Sequence, residues 1–331
     1  MTELKAKKLH KTSEGSPLER LAGMSAIAVF SLCYYYSTIY IIAIVVLLVY
    51  SPLDRRVWLF CTPMILSVLL PPMAAPRLFN NWFFKSALRY HEYEEVLETT
   101  EEELEKLQKK KKFIHAIQPH GVLSVVGICT AINRAPLSTP PTAAASILLQ
   151  LPILKHVFGT MNLVDASSKS LTKALKLTSV VIYIGGMAEL FLSNPNEEKL
   201  YIKERKGFIK LALRTGCDVI PSYFFGNTTA FEVVRNEVLQ TISRKTGIST
   251  TLMWGRWGLF PLPRKVLHAR GRPLGMPHLE SPSQEDIDKW HAKYVEEVKR
   301  LYYKVGCSLS SPTNLFQASI PIQLFVSLFP F

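Results

Sequence analysis

The run Gln118-Pro119-His120-Gly121 holds the side chain best suited to acid–base chemistry in this 331-residue sequence. An imidazole titrates near neutral pH, so it can take the proton of a hydroxyl and return it to a leaving group. Pro119 fixes the approach of the chain, and Gly121 lets backbone or ligand come close. A second cluster, Gly185-Gly186-Met187-Ala188-Glu189, follows the apolar stretch 179–184. Its paired glycines can present amides to an oxyanion or a phosphate, and Glu189 can orient an imidazole or bind a hydroxyl. No GxSxG elbow, Walker loop or GxGxxG run is present. No His/Cys/Asp/Glu group has metal spacing, and the other histidines, at 10, 91, 115, 156, 268, 278 and 291, are scattered. The pattern favours direct transfer with a general base over a covalent or metal route, with no metal or bound cofactor required.

Alternating strands and helices must position these residues. The stretch 113–121 reads as a strand ending in a turn, 142–151 as a helix, 171–177 as a second helix, and 179–184 as a buried strand ending in two glycines. Residues 199–216 read as a helix capped by Gly216, 218–226 as a strand, 255–265 as a loop, 266–277 as a strand and turn, and 283–304 as an amphipathic helix. The pattern predicts an α/β fold, a mostly parallel or mixed sheet flanked by helices. The runs ending at Gly121, Glu189 and Gly226 all fall at strand carboxyl ends, where open sheets gather their sites. Residues 88–112, acidic then basic, read as one charged, solvated helix linking this part to what precedes it.

What precedes it is apolar. Residues 21–50 and 57–76 contain no Asp, Glu, Lys or Arg. The first would make a helix of about 45 Å, more than a bilayer core needs. It is too long for a signal peptide and is interrupted by Tyr34-Tyr35-Tyr36. The second carries Pro63, Pro71, Pro72 and Pro76, which suits a kinked span or a re-entrant leg. A transmembrane hairpin would place both chain ends on one side. Lys5, Lys7, Lys8 and Lys11 mark that side as cytosolic, against the weaker opposite signal of Arg55 and Arg56. The expected organisation is a basic cytosolic N-terminus (1–20), a membrane hairpin (21–76), a charged linker helix (77–112), a catalytic domain (113–305) and an apolar tail (306–331).

The net charge of +13 fits a phosphorylated substrate or an anionic membrane surface. Nucleic acid is not expected, because basic runs interleaved with exposed aromatics are missing. Five cysteines without CxxC spacing make neither a disulfide framework nor a zinc site, and fit reducing cytosol. Asn227-Thr228-Thr229 matches a glycosylation sequon that would be unused in a cytosolic loop.

With these residues assembled, roughly residues 20 to 305 resemble the type-2 diacylglycerol acyltransferase family, which includes monoacylglycerol and wax-ester acyltransferases. The densest likeness is RKGFIKLALRTGCDVIPSYFFGN, residues 205–227. There the family has an Arg-Lys/Arg-Gly-Phe helix and then a strand ending in Phe-Gly, so Pro221, Phe225, Gly226 and Asn227 belong to a structural motif. Gly185 to Glu189 look like the family's Gly-Gly-x-x-Glu block, 255–263 like its Gly-Arg loop, and 271–277 with His291 and Tyr294 like its C-terminal signature. The hallmark His-Pro-His-Gly, or Glu-Pro-His-Ser in plant-type members, stands here with Gln118 in place of the first histidine. Many members carry an acid or Gln where this chain has Asn227. The wider glycerolipid acyltransferases pair their histidine with an Asp five positions on; that position is Val125, which leaves Glu189 as the candidate acid. The resemblance implies a glycerolipid-acyltransferase-like fold with acyl-CoA as co-substrate, diacylglycerol as acceptor and an endoplasmic reticulum membrane or lipid-droplet surface as location. It makes His120 the base and Gly121, Gly185 and Gly186 sources of oxyanion amides. Arg205, Lys206, Gly207, Phe208, Lys210 and Arg214 become candidates for binding acyl-CoA. Monoacylglycerol or a fatty alcohol is the alternative acceptor, and a catalytically weak lipid-droplet binding protein the alternative role. A homo-oligomer is left open.

Overall fold

Ser16 opens the first helix with a capping box: its hydroxyl accepts from the Glu19 amide, and the Glu19 carboxylate accepts from the Ser16 amide. The computed structural model describes residues 5–8, 15–135, 139–186, 189, 198–234, 236, 238, 241–243, 252–309 and 322–324. From the Ser16 cap, α1 (Pro17–Tyr50) runs through the whole uncharged segment. Among the described residues it alone is long and apolar enough to cross a membrane. Helix α2 (Arg55–Leu69), capped by Asp54, turns back beside it, with Tyr40 edge-on to Phe60 at 4.9 Å. The two helices lie antiparallel, and residues 70–75 are not helical. Both legs are docked at their near ends. Helix α1 packs along α3 (Trp82–Tyr90) so closely that a Cβ on Gly23 would lie 2.3 Å from the Ser86 carbonyl oxygen. The Ser67 hydroxyl accepts from the Ile153 amide at 2.6 Å, and Lys155 donates to the Val68 carbonyl at 3.0 Å.

Among the described residues the sheet has eight strands: β1 (Lys5–Lys8), β2 (Glu94–Leu97), β3 (Phe113–Gln118), β4 (Thr142–Ala144), β5 (Leu163–Asp165), β6 (Val180–Tyr183), β8 (Asp218–Phe225) and β11 (Leu267–Arg270). Their order is β1-β2-β11-β8-β3-β6-β4-β5. From β8 to β5 all pairs are parallel; β11 is antiparallel to β8, and β1 to β2, so the sheet is mixed as the sequence predicts. Two small ribbons, β9 (Glu232–Val233) with β10 (Met253–Trp254) and β7 (Glu198–Leu200) with β12 (Ile322–Leu324), stand apart. Side-chain alternation divides the core. Ile114, Ala116, Val219 and Leu267 face a cluster covered by α7 (Ser168–Leu175), α8 (Gly207–Thr215) and α9 (Gln284–Leu309). Ile117 and Phe224 face a second cluster under α1, α3, α5 (Val125–Arg134) and α6 (Leu154–Gly159). Pro221 sits in the buried strand β8 without breaking it. Its carbonyl accepts from Gly271, just past the end of β11, so its nitrogen also points that way and the ladder to β3 is untouched.

Several expectations are corrected. Residues 88–112 are not one helix: α3 ends at Tyr90, Glu92 turns at φ 43, β2 enters the sheet, and Thr100 opens the short α4 (Glu101–Gln108) with its own capping box. Tyr93, Glu94, Glu95 and Val96 are all buried, because β2 is paired with β1 on one side and β11 on the other. Residues 142–151 begin as β4 and continue as turns, because Thr142–Ala144 fill the sheet between β6 and β5. The helix expected over 199–216 starts only at Gly207, after β7 and a turn; its Gly216 cap holds at φ 69. The sheet domain therefore begins before residue 113, since β1 and β2 pair in it. Of the tail, 306–309 continue α9 and 322–324 form β12; the rest lies outside the described residues.

Beneath α5 the second face buries polar groups. Burial works to raise the Glu95 carboxyl, but hydrogen bonds and charges from His268, Arg134 and Tyr93 outweigh it and hold it at about 2. Burial pushes His91 down to about 4 and His115 well below the usual imidazole range. His91 Nδ1 donates to the Arg264 carbonyl at 3.0 Å, while its Nε2 has no partner among the described residues. These histidines fold neutral and charge when unfolded. The unfolded chain thus binds more protons below about pH 6.5, and stability falls as pH falls through that value towards 4. For His91 alone the loss is up to about 3 kcal/mol. Thermal unfolding of the solubilised protein should show a midpoint that drops steadily from pH 7 to pH 4.5; a flat midpoint contradicts the neutral-histidine core.

Candidate active site

Strands β3, β6 and β8 run in parallel register, Ile117 beside Tyr183 and Gln118 beside Tyr223, so their carboxyl ends open on one edge of the sheet. The turn 118–121, the glycine pair 185–186 and Asn227 meet there. The Gln118–Pro119 bond is cis. The half-buried His120 ring packs edge-on against Tyr183, with centroids 4.9 Å apart. Its Nδ1 lies 2.6 Å from the Gly121 carbonyl oxygen. A carbonyl can only accept, so Nδ1 carries the hydrogen and Nε2 keeps its lone pair. Burial holds the imidazole below its usual pKa, partly offset by the Gly121 carbonyl, and so favours the neutral ring.

Glu189 is fully buried. Its carboxylate accepts from the His120 amide at 2.8 Å and from the Tyr201 amide at 3.2 Å. It reaches His120 through the backbone, and the Gly121 carbonyl fixes the ring. Gly185 makes room for it, since a Cβ there would fall 1.9 Å from the Glu189 carboxyl carbon. The His120 amide is thereby committed. The amides of Gly121, Gly185 and Gly186 form no hydrogen bond among the described residues. Met187 and Ala188 lie outside the described residues.

Asn227 has the role that its sequence position hid. Buried to 2%, it donates from Nδ2 to the carbonyls of Pro119 (2.9 Å) and His120 (2.7 Å). Its Oδ1 accepts from the Val126 amide at 3.1 Å, capping the first turn of α5 from 101 residues away. Only glycine fits at 121: its φ is +66, and a Cβ there would also lie 2.8 Å from the Asn227 carbonyl oxygen. The matching sequon therefore has its asparagine buried in the fold. Gln118 is fully buried, with the Tyr294 hydroxyl donating to its Oε1 at 2.6 Å. Phe225 stacks on Tyr302 at 5.4 Å, and Gly226 turns the chain at φ 77.

Sequence reasoning missed Tyr183 and Ser124, whose hydroxyls lie 2.7 Å apart beside His120. Tyr183 was hidden in an apolar strand; its place two residues before the glycine pair was the available signal. Gly127 leaves their space open, since a Cβ would come 2.2 Å from the Tyr183 hydroxyl.

The basic residues predicted around α8 come together. Arg205, Lys206, Gly207, Phe208, Lys210 and Arg214 line one cavity of about 580 Å³ between α7 and α8. Its apolar lining includes Ile182 of β6 and Ile184 just before Gly185, so the cavity adjoins the site. Lys206 pairs with Asp288 at 2.7 Å, and Arg205 stacks over Tyr201 at 4.9 Å; Lys210 and Arg214 are exposed. Phe208 packs on Tyr294 at 4.8 Å, joining the cavity wall to the residue that holds Gln118.

Residues 70–316 match the family described as Diacylglycerol acyltransferase. Diacylglycerol O-acyltransferase 2-like protein 6 of Homo sapiens is 31% identical over 240 residues, covering 63% of this chain and 71% of that protein. Acyl-CoA wax alcohol acyltransferase 1 of Homo sapiens is 27% identical over 262 residues, covering 72% and 78%. The crystal structure of the 1-acyl-sn-glycerophosphate (LPA) acyltransferase PlsC from Thermotoga maritima aligns with a TM-score of 0.41 at 16% identity, over 82% of this chain and 96% of that one.

Proposed function

The chain belongs to the diacylglycerol acyltransferase family, and from that premise we propose that it transfers a fatty acyl group from acyl-CoA to the free hydroxyl of 1,2-diacylglycerol, giving triacylglycerol. One observation carries the mechanism: the Gly121 carbonyl holds Nδ1–H of His120 and leaves Nε2 as the base. Nε2 takes the hydroxyl proton as the oxygen attacks the thioester carbonyl. The tetrahedral oxyanion meets the amides of Gly121 or Gly185-Gly186. On collapse the C–S bond breaks and the imidazolium returns its proton to the CoA sulfur. Glu189 acts as a positioning residue, holding the His120 and Tyr201 backbone. No step needs a metal or a bound cofactor.

The cavity beside α8 receives the CoA phosphates. Lys210 and Arg214 face it from the exposed side of α8, and the amino end of that helix favours anions. Exposed ion contacts are worth up to about 1 kcal/mol each, so reversing both charges raises KM for acyl-CoA roughly 5- to 30-fold. In Lys210→Glu/Arg214→Glu, kcat changes little. A fall in kcat at constant KM would move the CoA site elsewhere.

The likeness to a wax alcohol acyltransferase supports a second acceptor, a fatty alcohol. Membranes containing the protein, given labelled acyl-CoA with diacylglycerol, monoacylglycerol or a fatty alcohol, distinguish the readings. Triacylglycerol as the main product supports the first; wax ester as the main product replaces it. The apolar α1 and the lysines that precede it support an endoplasmic reticulum membrane location with the sheet domain on the cytosolic side, and a lipid-droplet surface as a further site.

A further inference from the structure

The hairpin formed by 252–262 is unusually apolar at its surface. Leu252, Trp254, Trp257 and Leu259 are all exposed, Trp257 by 70%. The segment is nevertheless tightly built. Gly255 and Gly258 exchange amide–carbonyl hydrogen bonds at 3.1 Å, and Phe260 closes on Arg256 at 3.0 Å. A Cβ on Gly255 would overlap the Phe260 carbonyl at 2.1 Å, and Trp257 is held at φ 52, a strained conformation for a bulky residue. A rigid turn that displays tryptophan to the outside is not explained by the protein's own core.

Its surroundings identify what covers it. The Tyr35 hydroxyl donates to the Met253 carbonyl and accepts from the Met253 amide at 3.2 Å. One turn back on the same helix, Ser31 donates to the Leu259 carbonyl at 3.3 Å. The hairpin is thus fastened to α1 just before the exposed apolar residues Tyr36, Ile39, Ile42, Val45 and Val49. Its apolar surface continues that of the membrane helix. Arg256 stacks over Trp257 at 4.6 Å, and Arg264 is exposed nearby, a pairing of aromatic and cation that suits a headgroup layer.

We propose that the 252–262 hairpin is a membrane-interface anchor, with Trp254 and Trp257 seated at the headgroup level of an anionic leaflet beside α1. The anchor also reaches the catalytic turn. Leu262 donates to the Ala230 carbonyl at 2.9 Å, and Ala230 lies three residues after Asn227, which clamps His120. Seating the hairpin therefore sets the open edge of the sheet against the bilayer that holds a lipid acceptor.

The test uses the full chain in phosphatidylcholine–phosphatidylserine vesicles, with Trp58, Trp82, Trp254 and Trp290 changed to Phe so that Trp257 alone emits. Lipids brominated near the headgroup should roughly halve its emission, and aqueous iodide should have little effect. Should that variant fail to fold, native protein is compared with Trp257→Phe: the lipid-quenchable signal must shrink in the variant. Iodide quenching of Trp257 without lipid quenching, emission that responds to protein concentration instead of lipid, or an unchanged quenchable signal in Trp257→Phe would each overturn the anchor. None of these readouts depends on acyl transfer, so the anchor and the enzymatic reading fail separately.

Discussion

Replacing His120 with alanine should lower acyl transfer to diacylglycerol by about 10²- to 10⁴-fold, the usual worth of a general base. The loss should fall on kcat more than on KM, because the ring acts on the hydroxyl only as it is deprotonated. Expression and membrane content should be unchanged, since the half-buried ring makes its hydrogen bond to its own neighbour, Gly121. The native enzyme adds a second readout. The active form is the neutral ring, and burial lowers its pKa. Activity should therefore persist as pH falls through about 6.5 and be lost only further down. Labelled acyl-CoA in microsomes matched for protein level measures both. Near-native turnover in His120→Ala would remove the imidazole from the reaction.

The second large effect belongs to a residue that touches no substrate. Asn227→Ala strands the Pro119 and His120 carbonyls and the Val126 amide in the interior. Each unmet buried group costs about 1–3 kcal/mol, so the variant should lose several kcal/mol. In a domain of this size that corresponds to a melting point lower by roughly 10 °C. Turnover should fall with it even well below the melting point, because the His120 turn loses its clamp. Asn227→Asp tests the geometry. It keeps an acceptor for Val126 but sets an oxygen against two carbonyls, so it should not rescue. Thermal unfolding and turnover measured together decide the matter; a native melting point in Asn227→Ala would mean that the clamp is not holding the turn.

These two residues also show what a sequence can disclose. The position of His120 was readable because its signal is local: a histidine after a strand, between a proline and a glycine. The strand-and-helix alternation around it was readable for the same reason, and the three runs predicted at strand ends do share one edge of the sheet. Asn227 was unreadable because its partners lie more than 100 residues away. The misreading of 88–112 has a related cause. Charge was taken as a sign of solvent, yet Glu94 and Glu95 are buried. Lys265 reaches Glu94 at 3.2 Å, and Arg134 and His268 approach Glu95 at 3.9 and 3.8 Å, all from distant segments. At 142–151 an alanine-rich run with good helix propensity gave way to β4, because the sheet needed a strand between β6 and β5.

The buried Asn227 has one more consequence, for how the chain must be made. Asn227-Thr228-Thr229 is an acceptor for oligosaccharide wherever the modifying machinery meets unfolded chain. A sugar attached there could not be accommodated in a site that leaves the side chain 2% exposed and fully hydrogen-bonded. A chain that carried such a sugar would be marked at the residue that organises the His120 turn and left unable to close it. Glycosylation at Asn227 and closure of this site are thus mutually exclusive: a chain modified there before folding would remain misfolded.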